Sequence, residues 1–245
     1  MKQDIFEIIF SELPTQKKKI ITYFENSPDM EEDLDIFLET YSNFMKLEKI
    51  TSKKLAEAYI EMLNQMIFAR KEFIHSGKYL STNQAEAFEH TYDNEEFMTS
   101  YMMALALSQF LWKHHYEVFN FFKLTISGLD PKSNILEVGS GHGLFLLETL
   151  KIINKNNTID VVDISKSSIR MTKNIINSID ENLASNINFY LSDINYYKTD
   201  KKYNFITIGE VIEHVDNPLK ILEGLNALLD DDGIIFISTC AIVQR

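Results

Sequence analysis

The stretch from Asn134 to Phe145 constrains the fold more than any other part of the chain. It opens with a short apolar run, Ile135 to Val138, that suits a buried parallel strand. Gly139, Gly141 and Gly143 then follow at alternating positions. Because glycine lacks a Cβ atom, such a backbone can turn sharply into a helix and approach a ligand closely. The stretch predicts a strand, a tight turn and a helix, with a ligand site at the carboxyl end of the strand.

Dinucleotide-binding proteins also place a glycine turn between a strand and a helix. Their spacing is G-x-G-x-x-G, with pyrophosphate at the helix N-terminus. Here the third expected glycine position is Leu144, and Gly143 makes the spacing G-x-G-x-G instead. The spacing therefore favours a different cofactor.

Four more strands are predicted downstream. Four of the five predicted strands end in an acid, and these carboxyl groups could accept hydrogen bonds from a ligand at one edge of the sheet. The later predicted strands are Thr158–Ser165 with Asp163, Asn186–Asp193, Tyr203–Glu210 and Gly233–Ser238.

Residues 131 to 245 resemble the class I S-adenosylmethionine-dependent methyltransferases, whose E/D-x-G-x-G-x-G motif is matched by Glu137 to Gly143. The resemblance implies an α/β fold with a doubly wound, mainly parallel sheet, here preceded by an all-helical N-terminal domain. It also implies S-adenosylmethionine as the cofactor. The cofactor-binding residues it implies are Glu137, Gly139, Ser140, Gly141, Gly143, Asp163, Ile164, Asp193, Ile194 and Glu210.

Within this set, the resemblance implies a role for each part of the site. Glu137 and the glycine backbone would face the methionine part of the cofactor. Asp163 would bind the ribose, and Asp193 with Ile194 the adenine. Glu210 would lie near the sulfonium.

The N-terminal half of the chain shows helical periodicity. We predict a helical domain at 1–126, an acceptor lid or interaction domain, and a methyltransferase domain at 127–245. The predicted helices are Ile5–Leu13, Thr15–Asn26, Glu31–Leu47, Ser52–His75 and Glu95–Phe122, the last broken near Lys113.

Methyl transfer is an in-line displacement, so the protein mainly aligns the reactants and excludes water. An acceptor oxygen or nitrogen that carries a proton needs a base, and histidine is the natural one. The candidates are His214, His114 and His115. The two histidines of the helical region lie in a stretch with Tyr101 and Trp112, which either lines an acceptor pocket or fills a helix seam.

Glu210, Glu213 and His214 form the pattern E-x-x-E-H after the fourth strand. If a helix begins there, Glu210 and His214 share a face, since they lie four residues apart. Such a group could hold a divalent metal and lower the pKa of an acceptor hydroxyl. Metal-free members of the class carry a similar segment, and no histidine follows His214. The sequence therefore predicts no metal, with a metal-assisted O-methyltransferase as an alternative.

The formal charge of −12 argues against a nucleic-acid partner, because nucleic-acid binding depends on Lys and Arg neutralising phosphates. No apolar run is long enough to predict a membrane span, and a single cysteine, Cys240, permits no intramolecular disulfide. We expect a cytoplasmic enzyme that methylates an O or N nucleophile of a small-molecule acceptor. A cofactor-binding scaffold that docks a partner protein is the alternative.

The chain stops at Arg245, directly after the fifth predicted strand. Class I sheets normally have two more strands, which form an antiparallel hairpin. We expect a C-terminally incomplete domain, or a homo-oligomer or partner chain that covers the edge of the fifth strand.

Overall fold

The computed structural model describes residues 1–77, 95–154 and 157–239. Contacts divide them into a helical unit, 1–77 with 95–120, and a sheet unit, 121–154 with 157–239. The division into domains at 1–126 and 127–245 stays a prediction.

Proline begins two helices of the helical unit, where its fixed φ and missing N–H are tolerated. The last helix of this unit ends in the sheet unit. The helices are α1 Lys2–Glu12, α2 Pro14–Asn26, α3 Pro28–Thr40, α4 Ser42–Leu47, α5 Ser52–Ser76, α6 Glu95–Leu111 and α7 Lys113–Ile126.

The single helix predicted for Glu31–Leu47 is wrong, because the chain turns at Tyr41 between α3 and α4. The Tyr41 ring is fully buried, with ring centroids 4.6 Å from Phe37 and 6.4 Å from Phe44. Both contacts are local, with residues four before and three after Tyr41. Continuous helical periodicity therefore does not show where α3 ends. The expected break near Lys113 is confirmed between α6 and α7.

The sheet unit alternates strands and helices, and its strands pair in the order β3-β2-β1-β4-β5, all parallel. The α/β fold with a doubly wound parallel sheet is confirmed. The elements are β1 Ile135–Val138, α8 Leu144–Ile152, β2 Ile159–Asp163, α9 Lys166–Ile179, β3 Ile187–Leu191, β4 Tyr203–Gly209, α10 Pro218–Leu228 and β5 Leu229–Ser238.

The fifth strand begins earlier than predicted, at Leu229 rather than Gly233. Asp230, Asp231 and Asp232 are exposed residues of this strand. Three consecutive acids predict a loop, since acids are depleted in strands. Leu229 pairs with Tyr203, and the register then shifts so that Ile234 pairs with Phe205. The three acids lie in this irregularity and have no register partner on β4.

Both faces of the sheet are covered, which explains why β1 and β2 are buried along their whole length. One face presents Leu136, Val138, Ile206 and Ile208, which cluster with Ile221 and Leu225 of α10. The other face presents the rings of Phe205 and Phe236. Phe122 of α7 packs against both of them and stacks on Phe145 of α8, with ring centroids 4.4 Å apart.

A buried acid ties the amino-terminal edge of the sheet together. Asp160, the second residue of β2, is 1% exposed. It accepts hydrogen bonds from Tyr203 Oη at 2.7 Å, Lys201 Nζ at 2.7 Å and Asn188 Nδ2 at 2.8 Å. Burial raises the pKa of Asp160, but the bonds from Lys201, Tyr203 and Asn188 outweigh it and hold the pKa below its usual range.

No helix among the described residues is both long and apolar enough to cross a membrane.

We predict that Asp160→Asn lowers the free energy of unfolding by about 2–4 kcal/mol near pH 7, because it removes the charge that pairs with Lys201. The folded-state pKa is depressed, so this stability is present above the unfolded pKa of about 3.9 and is lost as pH falls below it. The gap between wild type and variant should therefore narrow below about pH 4. Urea unfolding at several pH values measures it.

The matched control is Asp200→Asn, which neutralises a neighbouring exposed acid. It should leave stability nearly unchanged. Equal stability of wild type and Asp160→Asn at pH 7 would contradict the role assigned to this network.

Candidate functional site

The strand order creates a crevice at the carboxyl ends of β1 and β4. The chain runs from β1 outward to β3, and then returns to place β4 on the other side of β1. In open α/β sheets this reversal is where ligands bind. Gly139 follows β1 directly, and Gly209 ends β4. The glycine motif therefore lies at the position where a ligand site is expected.

Three glycines shape the turn between β1 and α8. Gly139, Gly141 and Gly143 have φ of 79°, 47° and 75°, a region that other residues rarely adopt. A Cβ atom on Gly139 would lie 2.5 Å from Val211 Cγ2, which follows β4. The turn thus requires glycine for its dihedral angles and for its contact with the β4 end.

Asp163, the last residue of β2, holds this turn in place. Its Oδ2 accepts hydrogen bonds from Ser140 N at 2.8 Å and Ser140 Oγ at 3.1 Å, and its Oδ1 accepts one from Ser165 N at 2.7 Å. Burial raises the pKa of Asp163, while these bonds and one from the Gly141 backbone lower it.

These four donors match the roughly four lone-pair sites of a carboxylate. Asp163 therefore has a structural task in the turn, and its role as ribose acceptor stays a prediction. Ile164 beside it is half-buried.

Glu137 lies in β1, just before the turn, and is only 3% exposed. Among the described residues its Oε2 has no hydrogen-bond partner. Burial raises the pKa of Glu137 to about 8, and the nearby charge of Asp163 adds to the increase. A buried carboxyl group with an unsatisfied oxygen suits a cationic ligand.

The segment after β4 departs from the predicted helix. Glu210 has φ of 51°, unusual for a residue other than glycine, and its N–H donates to Ser238 O at 2.9 Å. Ile212–His214 forms a short 3-10 turn, and the α-helix begins only at Pro218. The prediction that Glu210 and His214 share a helix face is therefore wrong.

The side chains of Glu213 and His214 are exposed, and Glu213 Oε2 accepts a hydrogen bond from Thr239 Oγ1 at 3.1 Å. Within residues 1–77, 95–154 and 157–239, no three His, Cys, Asp or Glu side chains are grouped to hold a metal. Glu210, Glu213 and His214 thus gain no support as a metal site.

Asp193 follows β3 and caps the short 3-10 helix Ile194–Tyr196. Its Oδ1 accepts hydrogen bonds from Asn195 N at 2.8 Å and Asn195 Nδ2 at 3.0 Å. Ile194 is half-buried against the core of the sheet unit. The capping bonds orient Asp193, and its contact with adenine stays a prediction.

His114 and His115 belong to the helical unit. Their rings lie 5.9 Å and 4.6 Å from the Trp112 ring, and His115 Nδ1 lies 2.9 Å from Ser108 Oγ. Trp112 Nε1 donates to the buried Tyr59 at 2.7 Å. These contacts favour packing for Trp112, and the catalytic role of the two histidines stays a prediction.

Sequence reasoning missed residues that touch the turn from elsewhere in the chain. Thr172 of α9 donates to Gly141 O at 3.4 Å, and Val211 contacts Gly139 as described above. His142, inside the motif, accepts a bond from Leu144 N at 3.2 Å, and burial lowers its pKa to about 4. Only the fold brings Thr172 and Val211 to the turn, whereas His142 could have been noted from its place in the motif.

We predict that Gly139→Ala lowers the free energy of unfolding by about 2–4 kcal/mol, because a Cβ atom would strain the backbone and meet Val211. Adding Val211→Ala should recover the part that comes from the clash. Gly224→Ala is the control, since nothing lies within 4 Å of its added Cβ in helix α10, and it should stabilise by up to about 1 kcal/mol. Equal stability of Gly139→Ala and wild type in denaturant unfolding would contradict the geometry of the turn.

The chain matches the family described as methyltransferase domain over residues 80–243. A malonyl-[acyl-carrier protein] O-methyltransferase of Ilyobacter polytropus is 32% identical over 117 residues, which are 48% of this chain and 41% of that protein. The mitochondrial ubiquinone biosynthesis O-methyltransferase of Dictyostelium discoideum is 35% identical over 114 residues, which are 43% of this chain and 35% of that protein. The matches thus span less than half of these relatives.

Among solved structures, the N-methyltransferase NodS of Bradyrhizobium japonicum in complex with S-adenosyl-L-homocysteine has a TM-score of 0.47 and 16% identity. The match covers 64% of this chain and 72% of that one. Since the family match covers more than half of the chain, the protein belongs to the methyltransferase domain family, whose class I members use S-adenosylmethionine.

Proposed function

We propose that this protein transfers the methyl group of S-adenosylmethionine to an oxygen or nitrogen of a small metabolite or biosynthetic intermediate. The observation that carries the proposal is the turn of three left-handed glycines beside the buried carboxyl group of Glu137, at the crevice between β1 and β4. The names of the relatives support a small acceptor, since they act on a malonyl group on a carrier protein or in ubiquinone biosynthesis.

The residues of the crevice fit the cofactor. S-adenosylmethionine carries a sulfonium and an ammonium, and Glu137 offers a buried oxygen that no described residue satisfies. The glycine turn exposes backbone without Cβ atoms at the same edge of the sheet. In the proposed site, the glycine backbone and Glu137 bind the methionine part, while Asp193 and Ile194 lie at the adenine.

When bound, the cofactor supplies an electrophilic methyl carbon. The chain then has to hold the acceptor in line with that carbon and exclude water. Of the three candidate bases, His214 alone lies in the sheet unit with the glycine turn. We therefore assign the removal of the acceptor proton to His214 first, with His114 and His115 as the alternatives.

We predict that the purified chain binds S-adenosylmethionine and S-adenosylhomocysteine saturably in isothermal titration. Gly141→Val should abolish binding, because a β-branched side chain strains a backbone with φ of 47° and projects into the cradle. Gly224→Ala, remote in helix α10, should bind as wild type does. Equal affinity of Gly141→Val and wild type would contradict the placement of the site.

We also predict that His214→Ala lowers kcat by about 10²–10⁴-fold while the Kd for the cofactor is nearly unchanged. Formation of S-adenosylhomocysteine with a panel of small hydroxyl and amine acceptors is the measurement. Added imidazole should restore part of the activity if His214 is the base. His75→Ala, an exposed histidine at the end of α5, is the control and should keep full activity.

An unchanged kcat in His214→Ala would contradict the assignment of His214 as the base and favour His114 or His115 instead. Binding of the cofactor without turnover of any acceptor would instead favour a cofactor-binding scaffold.

A further inference from the structure

Glu137 and Asp163 are two buried acids with opposite surroundings. Burial raises the pKa of Asp163 above its usual value, but hydrogen bonds from Ser140, Ser165 and the Gly141 backbone oppose that increase and favour its charged form. Glu137 is 3% exposed, and no described residue bonds to its Oε2. When two neighbouring carboxyl groups differ in this way, the one without donors keeps its proton.

The described residues around Glu137 offer no compensating positive charge. On β2 the titratable group that acts on Glu137 is Asp163, which is itself negative. In the glycine turn, the pKa of His142 is about 4, so that ring is neutral near pH 7. The helices over this face of the sheet bring Phe122 and Phe145. With respect to the described residues, an ionised Glu137 would therefore be a buried charge whose Oε2 has no donor, which is costly.

Thr207 on β4 is the side chain next to Glu137 across the sheet. The two residues are register partners in adjacent parallel strands, which lie about 4.8 Å apart. Thr207 is 1% exposed, and its Oγ1 also has no hydrogen-bond partner among the described residues. A hydroxyl group can accept from a protonated carboxyl group or donate to an ionised one. The Thr207 hydroxyl can therefore hydrogen-bond to Glu137 in its protonated and in its ionised form.

We propose that Glu137 is protonated in the cofactor-free protein and releases this proton when the cationic cofactor binds, while the Thr207 hydroxyl donates to the carboxylate that forms. This inference rests on the proposed function, since it concerns the same crevice. The O–H bond of the carboxyl group breaks, the electron pair stays on the oxygen, and the proton passes to the solvent buffer. The cation of the ligand then balances the charge of Glu137.

Isothermal titration with S-adenosylmethionine in two buffers of different ionisation enthalpy counts the protons released. At pH 7 we expect about 0.9 proton per cofactor, because a group with a pKa of about 8 is mostly protonated there. The Kd should decrease about tenfold between pH 6 and pH 7, where the amino group of the ligand remains charged. A titration with S-adenosylhomocysteine, which keeps the ammonium and lacks the sulfonium, identifies which cation is responsible.

Two pairs of variants test whether Glu137 is the source of the released proton and whether Thr207 stabilises the carboxylate. Glu137→Gln should bind without proton release and with a Kd independent of pH from 6 to 7, whereas the exposed control Glu223→Gln should release the proton as wild type does. Thr207→Val should raise the Kd about tenfold or more, since a hydrogen bond to a charged group is lost. Thr207→Ser, which keeps the hydroxyl, should restore the affinity and the proton count.

Infrared difference spectroscopy provides a second measurement if Glu137→Gln fails to bind. The band of a protonated carboxyl group should be present in the free wild type, absent in Glu137→Gln, and lost from the wild type on binding. Saturable binding without proton release would overturn the inference, as would equal release by Glu137→Gln. A lack of binding at any pH would contradict the proposed function instead, and the carboxyl band of the free protein would still test the protonation of Glu137.

Discussion

The hydrogen bonds between Asp163 and the Ser140 turn are the interaction on which the site depends. They join the carboxyl end of β2 to the turn that follows β1, and they are buried. A turn of three left-handed glycines has much conformational freedom in an unfolded chain, so it needs such an external restraint to adopt one shape. The acid therefore converts flexible residues into a rigid cradle, and the position of α8 follows from that cradle.

The sequence predicted the sheet better than the helices because buried parallel strands leave a strong local signal. The runs at Ile135–Val138 and Tyr203–Gly209 are apolar and are followed by glycine or an acid, so their positions were readable. The division at Tyr41 was not readable, because helical periodicity continues on both sides of it. The early start of β5 was hidden by its acids, which have low strand propensity and lie where the register between β4 and β5 shifts.

The same distinction holds for the candidate site. Local spacing places Glu137 and the glycines at one strand end, and the resemblance of the motif to class I methyltransferases implies that they lie beside a cofactor. Thr207 and Val211 lie far along the chain from the motif, and only the pairing of β4 with β1 reveals their proximity. The methyl acceptor is harder still to predict. The part of such a site that binds the methyl donor uses backbone of fixed shape, whereas the part that binds the acceptor uses variable side chains.

The two non-glycine residues with positive φ, Lys49 and Glu210, have different settings. Lys49 follows the end of α4, where a left-handed residue is a common way to finish a helix. Glu210 instead follows a strand at the crevice, where glycine would adopt the same backbone more easily. Replacing Glu210 by glycine would therefore relieve backbone strain and remove a carboxyl group from the carboxyl end of β4. A designer who seeks a more heat-resistant chain would thus gain backbone freedom from glycine at position 210 and, by the same substitution, change the charge at the end of β4.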